Sequence, residues 1–65
     1  MDQYITDVIM RGELYLEIER MRQLLVRLTQ TPQKNRDDIY QAERIFKALL
    51  RAKEAINQNK RDTNQ

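Results

Sequence analysis

The sequence predicts an all-α fold, an antiparallel two-helix hairpin completed by self-association or by a partner. Three observations lead there: two stretches repeat apolar residues at spacings of three and four, one polar Pro-containing cluster separates them, and no other strong breaker cluster interrupts the 65 residues. Such spacing gathers apolar side chains on one face of a helix, whereas a strand would alternate them singly. A chain this short buries only about 60% of the surface its unfolded form exposes, so the hairpin's own core is small. With no Cys and no His, neither a disulfide nor the usual zinc, haem or iron–sulfur ligand set can reinforce it. Packing or a partner has to supply the difference.

The first helix is expected over about residues 2–29, with a seam of Leu14, Ile18, Met21, Leu25 and Leu28 and Leu24 beside it. A polar loop follows over 30–35, where Pro32 biases Thr31 away from the helical region. The second helix is expected over about 36–57: Asn35 can cap the first free amides, and Asp37 and Asp38 put negative charge at the positive end of the helix dipole. Thr31 capping a helix that has Pro32 at its first position is a competing start. Ala42, Ile45, Leu49, Ala52 and Ile56 form the second seam, flanked by Ile39, Phe46 and Leu50. Antiparallel pairing then sets Leu28 near Ile39 and Ala42, Met21 near Ile45 and Phe46, and Leu14 near Ala52 and Ile56, at a crossing of about +20°. Residues 1–57 thus form one helical domain, and residues 58–65, which contain no apolar side chain, read as a disordered polar tail.

At 100° per residue, Met1, Ile5, Val8, Ile9, Gly12 and Leu16 lie almost opposite the first seam, flanked by Tyr4 and Tyr15. A straight helix would leave Tyr4, Ile5, Val8, Ile9, Tyr15 and Leu16 outside the hairpin as a face for a helical partner's groove. Asp2, Asp7 and Glu13 around that face suggest a basic rim on such a partner. The other reading is that Gly12 breaks the helix, so that residues 2–10 fold back over the end of the hairpin.

The net charge of +2 hides a gradient. Residues 1–19 carry five acids against one base, net −4; residues 20–36 carry five bases and no acid, net +5; residues 37–65 carry six bases against five acids, net +1. Arg20, Arg27, Arg44, Lys47 and Arg51 lie off the seams and form an alternative basic face that could meet nucleic acid. Against that use stand the antiparallel helices, unlike the crossed pair of a helix-turn-helix, and the acidic first segment.

Little in the chain suggests chemistry. There is no glycine-rich phosphate loop, no nucleophile–base pair and no His to shuttle a proton, so the chain reads as no enzyme, with no cofactor and no small-molecule substrate. Glu13 and Glu17, one turn apart, are two carboxylates without further oxygen ligands, and Asp37–Asp38 has an ordinary role at a helix start, so no metal site is expected. No apolar run approaches the roughly 18 residues of a membrane span, and Met1-Asp2-Gln3 lacks the start of a secretory signal. The expectation is a cytoplasmic protein with no membrane contact.

The second-helix run from Tyr40-Gln41 through Ala42, Ala48, Ala52 and Ala55 to Ile56, with the seam that precedes it, gives about residues 17–56 a family likeness. This stretch resembles the small two-helix co-chaperones of type III secretion needle subunits, which carry a Tyr-Gln near the start of the second helix. The resemblance implies a hairpin that binds and stabilises a larger helical-repeat chaperone and helps keep the needle subunit unpolymerised. A second likeness runs to the sporulation phosphatases that act on response-regulator aspartyl phosphates. Their Ser-Gln-Glu-Leu-Asp signature would fall near Ala42 to Phe46, and with Phe46 in place of its final acid that activity is not expected. The sequence therefore reads as a non-enzymatic protein-binding module, a co-chaperone for a helical partner or a homo-oligomer. The alternative is a small homodimeric regulator that binds nucleic acid or another regulator through the basic face.

Overall fold

The computed structural model describes residues 3–63, with side chains through residue 59. The described residues form three helices joined by turns: α1 (Gln3–Met10), α2 (Leu14–Thr29) and α3 (Arg36–Thr63). α2 and α3 run antiparallel. Asn35 Nδ2 donates to the Leu28 carbonyl at 3.1 Å at the loop end, and the Tyr15 hydroxyl lies 3.5 Å from Asn57 Oδ1 toward the other end.

The expected continuous first helix is corrected: it ends at Met10, and α1 folds back onto α2 and α3. Gly12, with a φ of +71°, makes the reversal. Its N–H donates to the Ile9 carbonyl at 3.0 Å, and the Glu13 N–H donates to the Val8 carbonyl at 3.1 Å. These are the two bonds of a Schellman stop with glycine in the left-handed position, and they satisfy carbonyls that the end of α1 would otherwise leave open. An L-residue at that φ is strained because its Cβ crowds the backbone, which is why glycine occupies the position.

The reversal decides what the core contains. Ile5 and Val8, each 5% exposed, join Leu14, Ile18 and the fully buried Leu49 in one cluster, with Ile9, Met21, Phe46, Ala48, Leu50, Ala52 and Ile56 packed around it. The expectation that Ile5 and Val8 face outward is therefore overturned, and Ile9 is half-buried beside them. The two apolar sectors separated by Gly12 face each other across the turn because the chain reverses there. Ile45, assigned above to the α3 seam, is 38% exposed.

The 30–35 loop lies where it was expected. Thr31 accepts from the Asn35 N–H at 3.2 Å, and Asn35 accepts from the Ile39 N–H at 2.8 Å, so α3 begins at Arg36 rather than at Pro32. Asn35 stands at the start of α3, but its side-chain amide ties the loop to the end of α2. Asp37 and Asp38 occupy the first turn of α3, where negative charge opposes the dipole. The disordered tail is corrected as well: α3 continues to Thr63, because nothing from Asn57 to Thr63 is Gly or Pro and each added residue gains a backbone hydrogen bond. The parts of these expectations that concern Met1, Asp2, Asn64 and Gln65 lie outside the described residues.

Two outcomes follow for stability. Gly12→Ala should cost about 1 to 2 kcal/mol from the left-handed conformation alone, since a Cβ there meets no atom within 4 Å. It should also speed amide exchange at position 12 and at Glu13, whose N–H groups donate the two hydrogen bonds of the stop. Ile5→Asp should lower the unfolding free energy measured in urea by about 3 kcal/mol or more for an unpaired charge in the core, whereas Leu16→Asp on the surface should leave it nearly unchanged.

Candidate protein-binding surface

Two surfaces remain open once α1 has closed over the hairpin end. The first is the outward face of α2, where Tyr15 is 62% exposed, Leu16 49% and Val26 56%. Tyr15 and Val26 stand eleven residues apart, about three turns, and so share one line along the helix. Glu19 and Arg22 lie between them, joined by a 3.1 Å ion pair. A shallow depression of about 380 Å³ over Glu19, Arg22, Gln23, Val26 and Arg27 occupies the same face. Tyr15 also meets α3, with the Lys53 ammonium 5.9 Å from its ring centre.

The second surface is a groove of about 370 Å³ between the start of α1 and the middle of α3. Arg44, Lys47 and Arg51 line it from α3, Tyr4 and Ile5 from α1, and Gln41, Ile45 and Ala48 complete its wall. This groove exists because α1 folds back, so a helical wheel drawn for one straight helix has no place for it.

Tyr4 links the groove to α2. Its hydroxyl donates to Glu17 Oε2 at 2.5 Å, and Arg20 Nη1 donates to Glu17 Oε1 at 2.9 Å. The Tyr4 hydrogen bond first, and the Arg20 hydrogen bond after it, hold the Glu17 carboxyl below its ordinary value, against a smaller opposing effect of burial. The charged form of Glu17 therefore helps to pin α1 to α2.

The residues singled out from sequence part company in the structure. Ile5 and Val8 belong to the core and Ile9 to its margin, while Tyr4, Tyr15 and Leu16 keep exposed surface. Of the basic face, Arg20 is paired with Glu17, Arg27 lies on the outer side of α2, and only Arg44, Lys47 and Arg51 come together. Glu17 serves Tyr4 and Arg20, and no group of three or more potential metal ligands occurs among the described residues. No described helix is long and apolar enough to cross a membrane. The pairing of Tyr4 with Glu17, thirteen residues on, was missed from sequence, and its one available signal was a helix stop at Gly12.

No protein-family model, curated protein or solved structure matches the chain.

The Glu17 contact makes α1 docking sensitive to acid. A carboxyl whose folded pKa is lowered contributes stability that is complete above its unfolded pKa and is lost as pH falls through the folded value. Wild-type stability should therefore drop on acidification below the ordinary carboxylate range. Tyr4→Phe should remove part of that drop, measured by urea unfolding at neutral and acidic pH, while leaving the helix content of α2 and α3 in place.

Proposed function

We propose that the chain is a non-enzymatic protein-binding module that docks on a helical partner, in the manner of a co-chaperone. The observation that carries this reading is the outward face of α2, on which Leu16 is 49% exposed and Val26 56%, with Tyr15, 62% exposed, at its edge beside Lys53 of α3. Large apolar side chains grouped on one face of so small a molecule favour association, because a partner that covers them removes apolar surface from water. Tyr15 suits such a contact, since it offers a broad apolar ring and a polar tip together. The type III secretion likeness supplies the co-chaperone form of this reading, in which the partner is itself built of helices. Self-association is the homotypic version of the same contact.

The basic residues give the alternative, a small homodimeric regulator that binds nucleic acid, its support in the gathering of Arg44, Lys47 and Arg51 along one groove. Salt separates the two readings. Phosphate contacts lose affinity steeply as ionic strength rises, whereas an apolar helix face is far more tolerant. Affinity purification of the tagged full chain from its source cells at high salt should retain a protein partner. Leu16→Asp combined with Val26→Asp should lose that partner, with helicity unchanged by circular dichroism. Nucleic acid alone, released by salt, or a partner retained equally by the double variant, would overturn the module reading.

A further inference from the structure

We propose that the groove between α1 and α3 is a docking site for an acidic amphipathic helix, whose carboxylates meet Arg44, Lys47 and Arg51 and whose apolar edge rests on Ile45 and Ala48. This rests on the reading of the chain as a protein-binding module and names the chemistry of the segment it takes.

Three features of the groove set that chemistry. Among the described residues Arg44, Lys47 and Arg51 form no ion pair, although other basic side chains of the molecule do, and Arg44 instead lies 5.9 Å from the Tyr40 ring centre. At roughly 1.5 Å of rise per residue, positions 44, 47 and 51 span about 10 Å along α3. Carboxylates at i, i+3 and i+7 of a helix laid alongside repeat the same rise and the same face. Beside the cations, Ile45 is 38% exposed and Ala48 is small and half-buried, so a neighbouring helix can come close and set an apolar side chain on them. Exposed ion pairs are individually weak, so the carboxylates mainly set register and encounter rate while the apolar edge holds the segment.

Other occupants fit less well. A second copy of the chain does not carry the pattern: no two of its acids stand three residues apart, so it has no carboxylates at i, i+3 and i+7, and Glu17 and Glu19 are already paired with Arg20 and Arg22. A phosphate backbone has no use for the apolar strip at Ile45 and Ala48.

The test uses the full chain and a fluorescein-labelled peptide about four turns long, with a Leu stripe and Glu at i, i+3 and i+7. Binding is read by fluorescence anisotropy at low and moderate salt. The wild-type chain should bind it. The triple variant Arg44→Ala, Lys47→Ala and Arg51→Ala should bind roughly tenfold more weakly, the sum of three exposed pairs, and so should the wild-type chain with a Gln-for-Glu peptide. Ala favours helix, so the triple variant should keep its circular dichroism, and Arg11→Ala with Lys34→Ala and Arg36→Ala, three exposed bases outside both surfaces, serves as the charge-matched control that leaves binding unchanged. The proposal is overturned by any of four results: no binding to the wild-type chain; equal binding by the triple variant or the Gln peptide; displacement of the peptide by a short single-stranded oligonucleotide at lower concentration than by unlabelled peptide; or self-association of the chain, by light scattering, that the triple variant abolishes. A wild-type chain that retains a protein partner at high salt but binds the Glu and Gln peptides equally would remove the groove and leave the module reading standing.

Discussion

The reversal at Gly12 is the constraint on which the rest of the molecule depends. A φ of +71° at one residue turns two apolar faces that would point apart on a straight helix into faces that meet. Ile5 and Val8 arrive over Leu14, Ile18 and Leu49, and these five are the buried cluster of the described chain. Without the turn, Leu14, Ile18 and Leu49 would lose the cover that Ile5 and Val8 give them. α1 has only eight residues and is too short to persist by itself in water. It holds its shape because the two-bond stop at Gly12 fixes its end and because packing fixes its face. Local backbone chemistry and burial act here on the same few residues, which is the agreement between levels that lets a short sequence specify one arrangement.

The Tyr4–Glu17–Arg20 contact works at the opposite edge of α1 from the turn. A hinge at Gly12 and a hydrogen bond at Tyr4 fix the helix at both ends, so that the buried residues between them have little freedom to slide. That contact is polar and partly solvated, so it contributes less than the burial of Ile5 and Val8, but it is directional where burial is not. Direction matters for the groove, because Tyr4 and Ile5 are its α1 wall. A small rotation of α1 would move that wall relative to Arg44, Lys47 and Arg51 before it opened the core.

Much of the scaffold was legible in the sequence, and the failures at the N-terminal end have one root. The seams of α2 and α3 declare themselves because spacings of three and four over several turns have few other meanings, and Pro32 with its polar neighbours marks the loop. The candidate site was misplaced because the helical wheel carried its phase through Gly12 as if the chain were straight. Once the chain reverses, the phase of residues before Gly12 says nothing about their direction relative to residues after it, and Ile5 and Val8 change from surface to core. The local signal was present: glycine after a short amphipathic run is a common left-handed helix stop. The Tyr4–Glu17 pair and the groove were beyond reach for the same reason, since both are long-range consequences of the turn. The end of α3 shows a different error. Absence of apolar residues says that a segment has little to bury, and it says nothing against a helix already nucleated and free of Gly and Pro.

Because α1 is at once a cover for the core and a wall of the groove, folding and recognition are coupled. Any ligand that requires the α1 wall binds only the docked state, and it stabilises that state by an amount that grows with the logarithm of its concentration over its dissociation constant. The relation runs the other way too: the apparent affinity of such a ligand falls by the fraction of molecules in which α1 has come away. The outward face of α2 carries no such dependence, since Leu16 and Val26 stay where they are whether or not α1 is docked. The two surfaces of the molecule therefore differ in kind. One is a fixed stripe on a helix held by its partner helix, and the other is assembled each time a short helix closes, through one glycine and one tyrosine hydroxyl.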